Sequence, residues 1–287
     1  MRGILLAGGT GSRLWPITQS VNKHLLPVYD KPLIYYPLST LMLAGVQDIL
    51  IICNEGDLGS FQGLIGSGQQ LGLNITFEIQ KSPKGIVDAF RIGEEFVEDH
   101  EIALILGDNI FYGSGLGAEL SKISNPNGAT ILTSEVADPT QYGVIEFDSN
   151  LEIIGLHEKP VSPKSSTVIT GLYFFDNTAI EKSKTLVPSE RGEIEIISLL
   201  EMYLKENKLK ALSIERGATW LDAGTPESLL VASNLVKSLQ DRRGMSISCP
   251  EEIAWRNGWI STTQLIQTIN TCQNEHYGKY LLTLIQQ

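Results

Sequence analysis

An α/β fold is what this sequence predicts: a central mixed, mostly parallel sheet flanked by helices, an antiparallel extension, and a C-terminal helical appendage. Three observations lead there. Short, β-branched apolar runs recur with helical patterns between them over the first half of the chain, which is the signature of a layered α/β domain. Those runs are apolar throughout, as strands covered on both faces are. From about residue 129 the rhythm changes to alternating strands with little helix between them, a pattern of antiparallel pairing.

In chain order, GILLAG near 3–8, DILIIC near 48–53, ITFEIQ near 75–80 and IALILGD near 102–108 predict four strands. Between the first two, KPLIYYPLSTLMLAG predicts a helix with Pro32 in its first turn and Gly45 just past its end. Another helix starts in KSPKGIVDAF. The runs ATILTSEV, YGVIEFD, LEIIGLHEK, VITGLYFFD and KALSIER predict strands that build a platform over one end of the parallel sheet. EIEIISLLEMYLKEN is helical in pattern, and TPESLLVASNLVKSLQ starts a helix with Thr225 as N-cap and Pro226 at its first position. Beyond residue 244 the Ser261/Gln264 pair has capping-box spacing and no linker composition intervenes. The tail is therefore expected to pack on the core or on a neighbouring subunit.

The composition excludes several functions. With 287 residues the chain can bury roughly 75% of its unfolded surface, so no disulfide or metal staple is needed. Net charge is −11 and no Lys/Arg cluster occurs, which argues against a nucleic-acid partner. Cys53, Cys249 and Cys272 are odd in number and far apart, and the four histidines complete no zinc pattern; reduced thiols and a cytoplasmic location are expected. No apolar run reaches the ~18 residues of a membrane span, and MRGILLAGG runs straight into glycines, unlike a secretory signal.

The charge is uneven. Residues 1–31 carry Arg2, Arg13, Lys23 and Lys31 against Asp30 alone, a local +3, while the remainder carries −14. In that basic segment the first strand ends in GGTGSRLWP, where Gly8, Gly9 and Gly11 allow the backbone to curl and point amide hydrogens at an anion. A dinucleotide loop requires a third glycine where Leu14 stands, and a P-loop requires a GK pair that is missing. Arg13 within the loop and Lys23 ten residues beyond, framed by Pro16 and Pro27, point instead to a phosphate site of another kind. Asp108 follows the apolar run IALIL, at the carboxyl end of a central strand where α/β sheets hold ligands. Asp222 precedes a glycine turn and a helix start in TWLDAGTP; on position alone, both aspartates could equally be turn residues.

The stretch GGTGSRLWPITQSVNKHLLPVYDKPLIYYPLSTLMLAGVQDILII resembles the opening of the sugar nucleotidyltransferases, and within them the glucose-1-phosphate thymidylyltransferases. GDNIFYG, DPTQYGVIEFD, EKPVSPKS, TGLYFFD, RGEIEI, TWLDAGTPESLL and CPEEIAWRNGWI continue the likeness in order across nearly the whole chain. The resemblance implies a Rossmann-like nucleotidyltransferase fold. It also implies a catalytic domain over 1–243, divided into a nucleotide part over 1–128 and a sugar part over 129–225, with the appendage over 244–287. The implied reaction is dTTP plus α-D-glucose 1-phosphate giving dTDP-glucose and pyrophosphate, the first step toward dTDP-L-rhamnose or a related deoxysugar. A UTP-preferring or broader sugar-phosphate transferase is the alternative. A catalytically silent nucleotide-sugar sensor is disfavoured by the joint presence of Arg13, Lys23, Asp108 and Asp222.

Residue by residue, the resemblance implies that Arg13 and Lys23 are catalytic and that Asp108 and Asp222 hold Mg²⁺. Leu6, Gly8, Gly9, Gly11, Ser12, Arg13, Gln80, Pro83, Gly85 and Asp108 would surround the nucleotide, with Gln80 and Gly85 at the thymine. Ile86, Val87 and Asp88 then depart from the commoner family form. Gly143, Glu158, Lys159, Ile169 and Tyr173 would bind the sugar, with Arg191 shaping the same region. Family members are homotetramers inhibited by dTDP-rhamnose at a second site, matched here by Tyr112, Gly113, Arg216, Glu252 and Arg256, with Ser114, Gly115 and Glu215 as departures.

Overall fold

Near-continuous burial along the central strands decides the architecture. In β1 (Arg2–Ala7), β4 (Asp48–Cys53) and β6 (Ile102–Leu106), successive side chains enter two different cores, as a sheet with period-2 side chains requires. Leu5, Ile51 and Ile105 point one way; Ile4, Leu50 and Leu104 point the other. A sheet apolar on both faces must be covered on both, and it is. The computed structural model describes residues 1–189, 191–215 and 217–286.

The parallel core runs β5 (Asn74–Ile79), β4, β1, β6. β11 (Thr167–Phe175) pairs antiparallel with β6, and β8 (Ala129–Glu135), β9 (Gly143–Phe147) and β10 (Ile153–Glu158) extend the same sheet from it. The expected platform is thus a continuation of one nine-stranded sheet. KALSIER departs from the antiparallel expectation: β12 (Leu209–Ser213) lies parallel to β8, because α7 (Ile196–Lys205) carries the chain back across the sheet.

One face is covered by α1 (Tyr35–Leu43), α2 (Leu58–Ile65), α5 (Leu116–Ser121) and the C-terminal helices α9 (Pro250–Arg256), α10 (Thr262–Thr271) and α11 (Glu275–Leu284). The other carries α3 (Asp88–Ile92), α4 (Glu94–Val97), α6 (Thr178–Thr185) and α7. The C-terminal appendage therefore packs on the core. α1 starts later than expected because Lys31–Pro32 forms β3, a two-residue partner for β2 (Pro27–Val28); Gly45 does follow the helix, at φ 82°. α8 (Pro226–Arg243) begins as expected, with Thr225 capping and Ser228 completing a capping box, and Ser261 and Gln264 do the same for α10. No described helix is long and apolar enough to cross a membrane.

Two further strands escaped the sequence pattern and matter most for function. β7 (Asn109–Tyr112) and β13 (Thr219–Asp222) form a separate antiparallel pair in which Asn109 faces Asp222. With α8 and α1 they build a third small core around Ile110, Ala223 and Val236.

Candidate active site

At the end of β1 the chain turns through Gly8, Gly9 and Gly11. Gly11 is left-handed at φ 64°, and its carbonyl accepts a 2.8 Å hydrogen bond from Thr18 Oγ1. A side chain on Gly9 would come within 3.1 Å of the Lys23 stem, so this part of the loop lies directly on Lys23. Buried Leu14 anchors the short turn that carries Ser12 and Arg13. Arg13 stays half exposed, and its guanidinium lies over Gly224, where a Cβ would be 2.5 Å from Nη2, and 4.0 Å from the Asp222 carboxylate.

Lys23 is placed by residues that the motif reading passed over. Asn22 caps the turn Lys23–Leu25: its Oδ1 accepts from the His24 amide at 2.9 Å and lies 2.8 Å from His24 Nδ1. Its Nδ2 donates to Asp57 at 2.6 Å and to the Ala7 carbonyl at 3.3 Å, tying the turn to the end of β1. Lys23 Nζ then donates to Asp108 Oδ2 at 2.5 Å, with both side chains nearly buried. Burial pushes the Asp108 carboxyl up, but the adjacent ammonium and the hydrogen bonds from Lys23 and Asn109 outweigh it and hold Asp108 well below the usual carboxylate range. His24, only 1% exposed, is driven down to about 3 by burial and then by the Lys23 charge, so at neutral pH it is an uncharged packing residue.

Asn109 is the hub that joins the two aspartates. Its Nδ2 donates to Asp108 Oδ1 at 3.0 Å, while its Oδ1 accepts from the Gly171 amide at 3.0 Å and from the Trp220 indole at 2.5 Å. Gly171 interrupts the β11 ladder there, and a Cβ on it would strike Asn109 at 2.6 Å. The Ala223 amide donates to the Asp108 carbonyl at 2.9 Å, which brings Asp222 beside Asp108. Asp222 is raised to about 6, first by burial and then by the neighbouring Asp108 charge, with Arg13 and Lys23 opposing. Two close carboxylates balanced by two cations form a polar centre suited to phosphate and a hard cation.

A cavity of about 460 Å³ opens from this centre onto the sheet extension. Ser12, Arg13, Asp108, Asn109, Trp220 and Asp222 line one end; Gly143, Glu158, Lys159, Ile169, Tyr173 and Arg191 line the other. All the expected sugar residues therefore share one cavity with the aspartates. Glu158 ends β10, is raised by burial, and sits 3.6 Å from Lys159 and 3.4 Å from Arg191. Lys159 holds a left-handed backbone at φ 42°, unusual for a side-chain-bearing residue, with its amide on the Tyr142 carbonyl at 3.0 Å. Tyr142 in turn meets Trp220 edge to face at 5.2 Å, which links that end of the cavity to the Asn109 hub.

Gln80 is not the surface residue its strand position could make it. It is 6% exposed, follows β5, and holds its carbonyl oxygen over Gly8, where a Cβ would be 2.5 Å from Oε1. Leu6 is half-buried in the central strand β1, and Pro83 is exposed in the segment after β5. Gly85 packs closely against the protein's own backbone. At φ 97°, its open side faces the backbone of Ile194 at 2.5 Å, so its close packing is against the chain before α7.

The residues matched to a regulatory site lie at the end of β7 and on α9, two elements that both pack on α1. Tyr112 ends β7 and Gly113 follows it, with Tyr112 under the Arg243 guanidinium and Gly113 against Ala218. Glu252 and Arg256 lie on α9, bound to each other at 2.7 Å, and Glu252 also accepts from Tyr280. Arg216 lies outside the described residues.

Residues 2–238 match the family model described as nucleotidyl transferase. A glucose-1-phosphate thymidylyltransferase of Neisseria meningitidis is 48% identical over 287 residues, covering 100% of both chains. One from Mycobacterium tuberculosis is 48% identical over 286 residues, covering 100% of this chain and 99% of its own. Among solved structures, a Bacillus anthracis protein described as a glucose-1-phosphate thymidylyltransferase, bound to sucrose, superposes with a TM-score of 0.78 at 38% identity, covering 88% of this chain and 99% of its own. A UDP-glucose pyrophosphorylase holding UDP-glucose superposes at 0.72 and 25% identity, covering 83% of this chain and 98% of its own. With a glycine-rich loop, two neighbouring aspartates and one continuous cavity in a single site, and with full-length relatives of one activity, the chain belongs to the nucleotidyl transferase family.

Proposed function

We propose that this protein transfers the thymidylyl group of dTTP to α-D-glucose 1-phosphate, forming dTDP-glucose and releasing pyrophosphate. The observation that carries the reading is the shared cavity. Arg13, Asp108 and Asp222 stand at one end and Glu158, Lys159 and Tyr173 at the other, so two phosphates and a hexose fit one continuous site. The full-length thymidylyltransferase relatives at 48% identity support the same substrates.

A phosphate monoester loses its second proton near pH ~6, so the attacking oxygen is already ionised at neutral pH and needs no general base. The neutral, buried His24 agrees with that. In the displacement the sugar-phosphate oxygen bonds to the α-phosphorus as the bond to the bridging α–β oxygen breaks, and the electron pair leaves with pyrophosphate. The obstacle is repulsion, about 1 kcal/mol per unit charge pair at ~4 Å in water and about 4 kcal/mol in a partly desolvated site. Arg13 and Lys23 supply the opposing charge, and the loop amides orient the triphosphate. Glu158 accepts from hexose hydroxyls while Lys159 and Arg191 hold its carboxylate in place.

The donor set at Asp108 and Asp222 suits Mg²⁺: two hard carboxylates, with space on the cavity side for water and phosphate oxygens. Bound there, the ion would add countercharge between the two polyanions. Pyrophosphate release measured with dTTP, glucose 1-phosphate and Mg²⁺ tests the proposal, with UTP and other hexose 1-phosphates in parallel. Release with dTTP and glucose 1-phosphate is expected; its absence would overturn the reading.

A further inference from the structure

We infer that Asp88 is a positioning residue that sets base selectivity by locking the orientation of the Gln80 amide. The inference rests on the proposed nucleotide transfer and deepens it. Gln80 Nε2 donates to Asp88 Oδ2 at 3.2 Å. Gln80 itself is 6% exposed, so its amide has little freedom beyond the choice of which end faces which neighbour. An ionised carboxylate accepts and cannot donate, so only the NH₂ end of Gln80 can face Asp88. The carbonyl end is thereby turned over Gly8, at the mouth of the phosphate loop.

This fixed order has a chemical consequence. An amide that presents its oxygen as acceptor, beside the second hydrogen of its NH₂ group, complements the imide edge of thymine or uracil, where an N3–H donor lies next to a carbonyl. Cytosine presents the reverse order, a ring-nitrogen acceptor beside an amino donor, and would match only the flipped amide. Thymine and uracil share the imide edge, so the lock separates that pair from cytosine and leaves the methyl group to other contacts. A site that leaves its polar groups unpaired against the wrong partner discriminates far more strongly than one reading size alone.

Asp88→Asn removes the acceptor-only character while keeping the shape, because an Asn can meet either end of the Gln80 amide. The test measures kcat/KM for dUTP and dCTP with glucose 1-phosphate, in wild type, Asp88→Asn and Asp88→Ala. Thermal melts check folding of each variant, and wild-type dTTP turnover is the control. We expect wild type to prefer dUTP over dCTP and both variants to lose at least about tenfold of that preference, with dCTP gaining relative to dUTP. The Ala variant gives the same reading should the Asn variant fold poorly. An equal decline for both nucleotides would mark Asp88 as merely structural and overturn the inference, as would an unchanged ratio. In either case the wild-type control keeps the thymidylyl-transfer reading intact. A wild type inactive with dTTP would overturn that reading and this inference with it.

Discussion

Lys23 illustrates how a residue's role depends on its partner as much as on its motif. Lys23→Ala removes a cation from the phosphates, but it also strands the Asp108 carboxylate, whose side chain is only 11% exposed. Breaking a buried pair from one side typically costs about 3–5 kcal/mol. Urea unfolding should therefore show Lys23→Ala destabilised on that scale, and Lys23→Met with Asp108→Asn should recover most of the loss. Recovery of stability without recovery of turnover would separate the structural part of the pair from its catalytic part. His24 gives a second residue-scale prediction. Its imidazole faces Lys23, Asp108 and the carboxamide of Asn22, and is held at about 3, below the ordinary 6.5. Above about pH 6.5 it is neutral folded and unfolded; below that, the unfolded chain binds the extra proton. Stability then falls with pH by about 1.4 kcal/mol per unit until the folded value is reached. Measured in metal-free protein, unfolding free energies of His24→Gln should show a pH dependence shallower by about that slope between roughly pH 6 and 4. Parallel slopes would refute it.

Elements, not individual motifs, bring these residues together, and this is where legibility from the sequence is uneven. The four central strands and the caps of α8 and α10 were readable because each rests on local information: an apolar run, or a hydroxyl at N-cap spacing. β7 and β13 were not, since NIFY and TWLD are four residues each, too short for a period, and their pairing spans more than a hundred residues. Asp108 and Asp222 could be recognised as a pair only through resemblance. Asn22, Asn109, Tyr142 and Trp220 lie within the stretches that carry the resemblance but receive no role from it, because they act by contacts made between elements. Gln80 does follow a strand, but its burial and its approach to Gly8 come from contacts between elements that no local pattern carries. The β7–β13 pair yields its own prediction. Trp220→Phe keeps the edge-to-face contact with Tyr142 but deletes the indole donor to Asn109. A freed Asn109 orients Asp108 less firmly, so kcat should fall about tenfold while stability changes by only about 1 kcal/mol, the usual net worth of one hydrogen bond. An unchanged kcat would show that Asn109 is held well enough by Gly171 alone.

Across the whole molecule, charge and core are organised by opposite logics. The basic opening segment is less concentrated on the site than its +3 suggests. Arg2 is engaged by Glu98 and Phe96, and Lys31 is buried between Asp30 and the Ile247 carbonyl, leaving Arg13 and Lys23 at the candidate site. Lys31 instead ties the N-terminal hairpin to the segment leading into the C-terminal helices, where Gln240 also reaches Asp30 at 3.0 Å and the Ile247 amide at 2.7 Å. Those helices complete the first core rather than decorate it. Cys249, Ala254, Ile260, Leu265, Leu281 and Leu284 are buried in the same cluster as Leu5, Ile51 and Phe61. Truncating one buried leucine to alanine costs about 2–5 kcal/mol, against about 5–15 kcal/mol for a whole native fold. Leu281→Ala should therefore lower the unfolding free energy by about 2–5 kcal/mol in denaturant titration. Ending the chain after Arg243 exposes the matching face of α1 and α2 and removes every one of these side chains, so the shortened protein should not fold cooperatively, even though the family match itself stops at residue 238. A soluble 1–243 fragment with a sharp thermal transition and retained pyrophosphate release would show that the appendage is dispensable and that the first core closes without it.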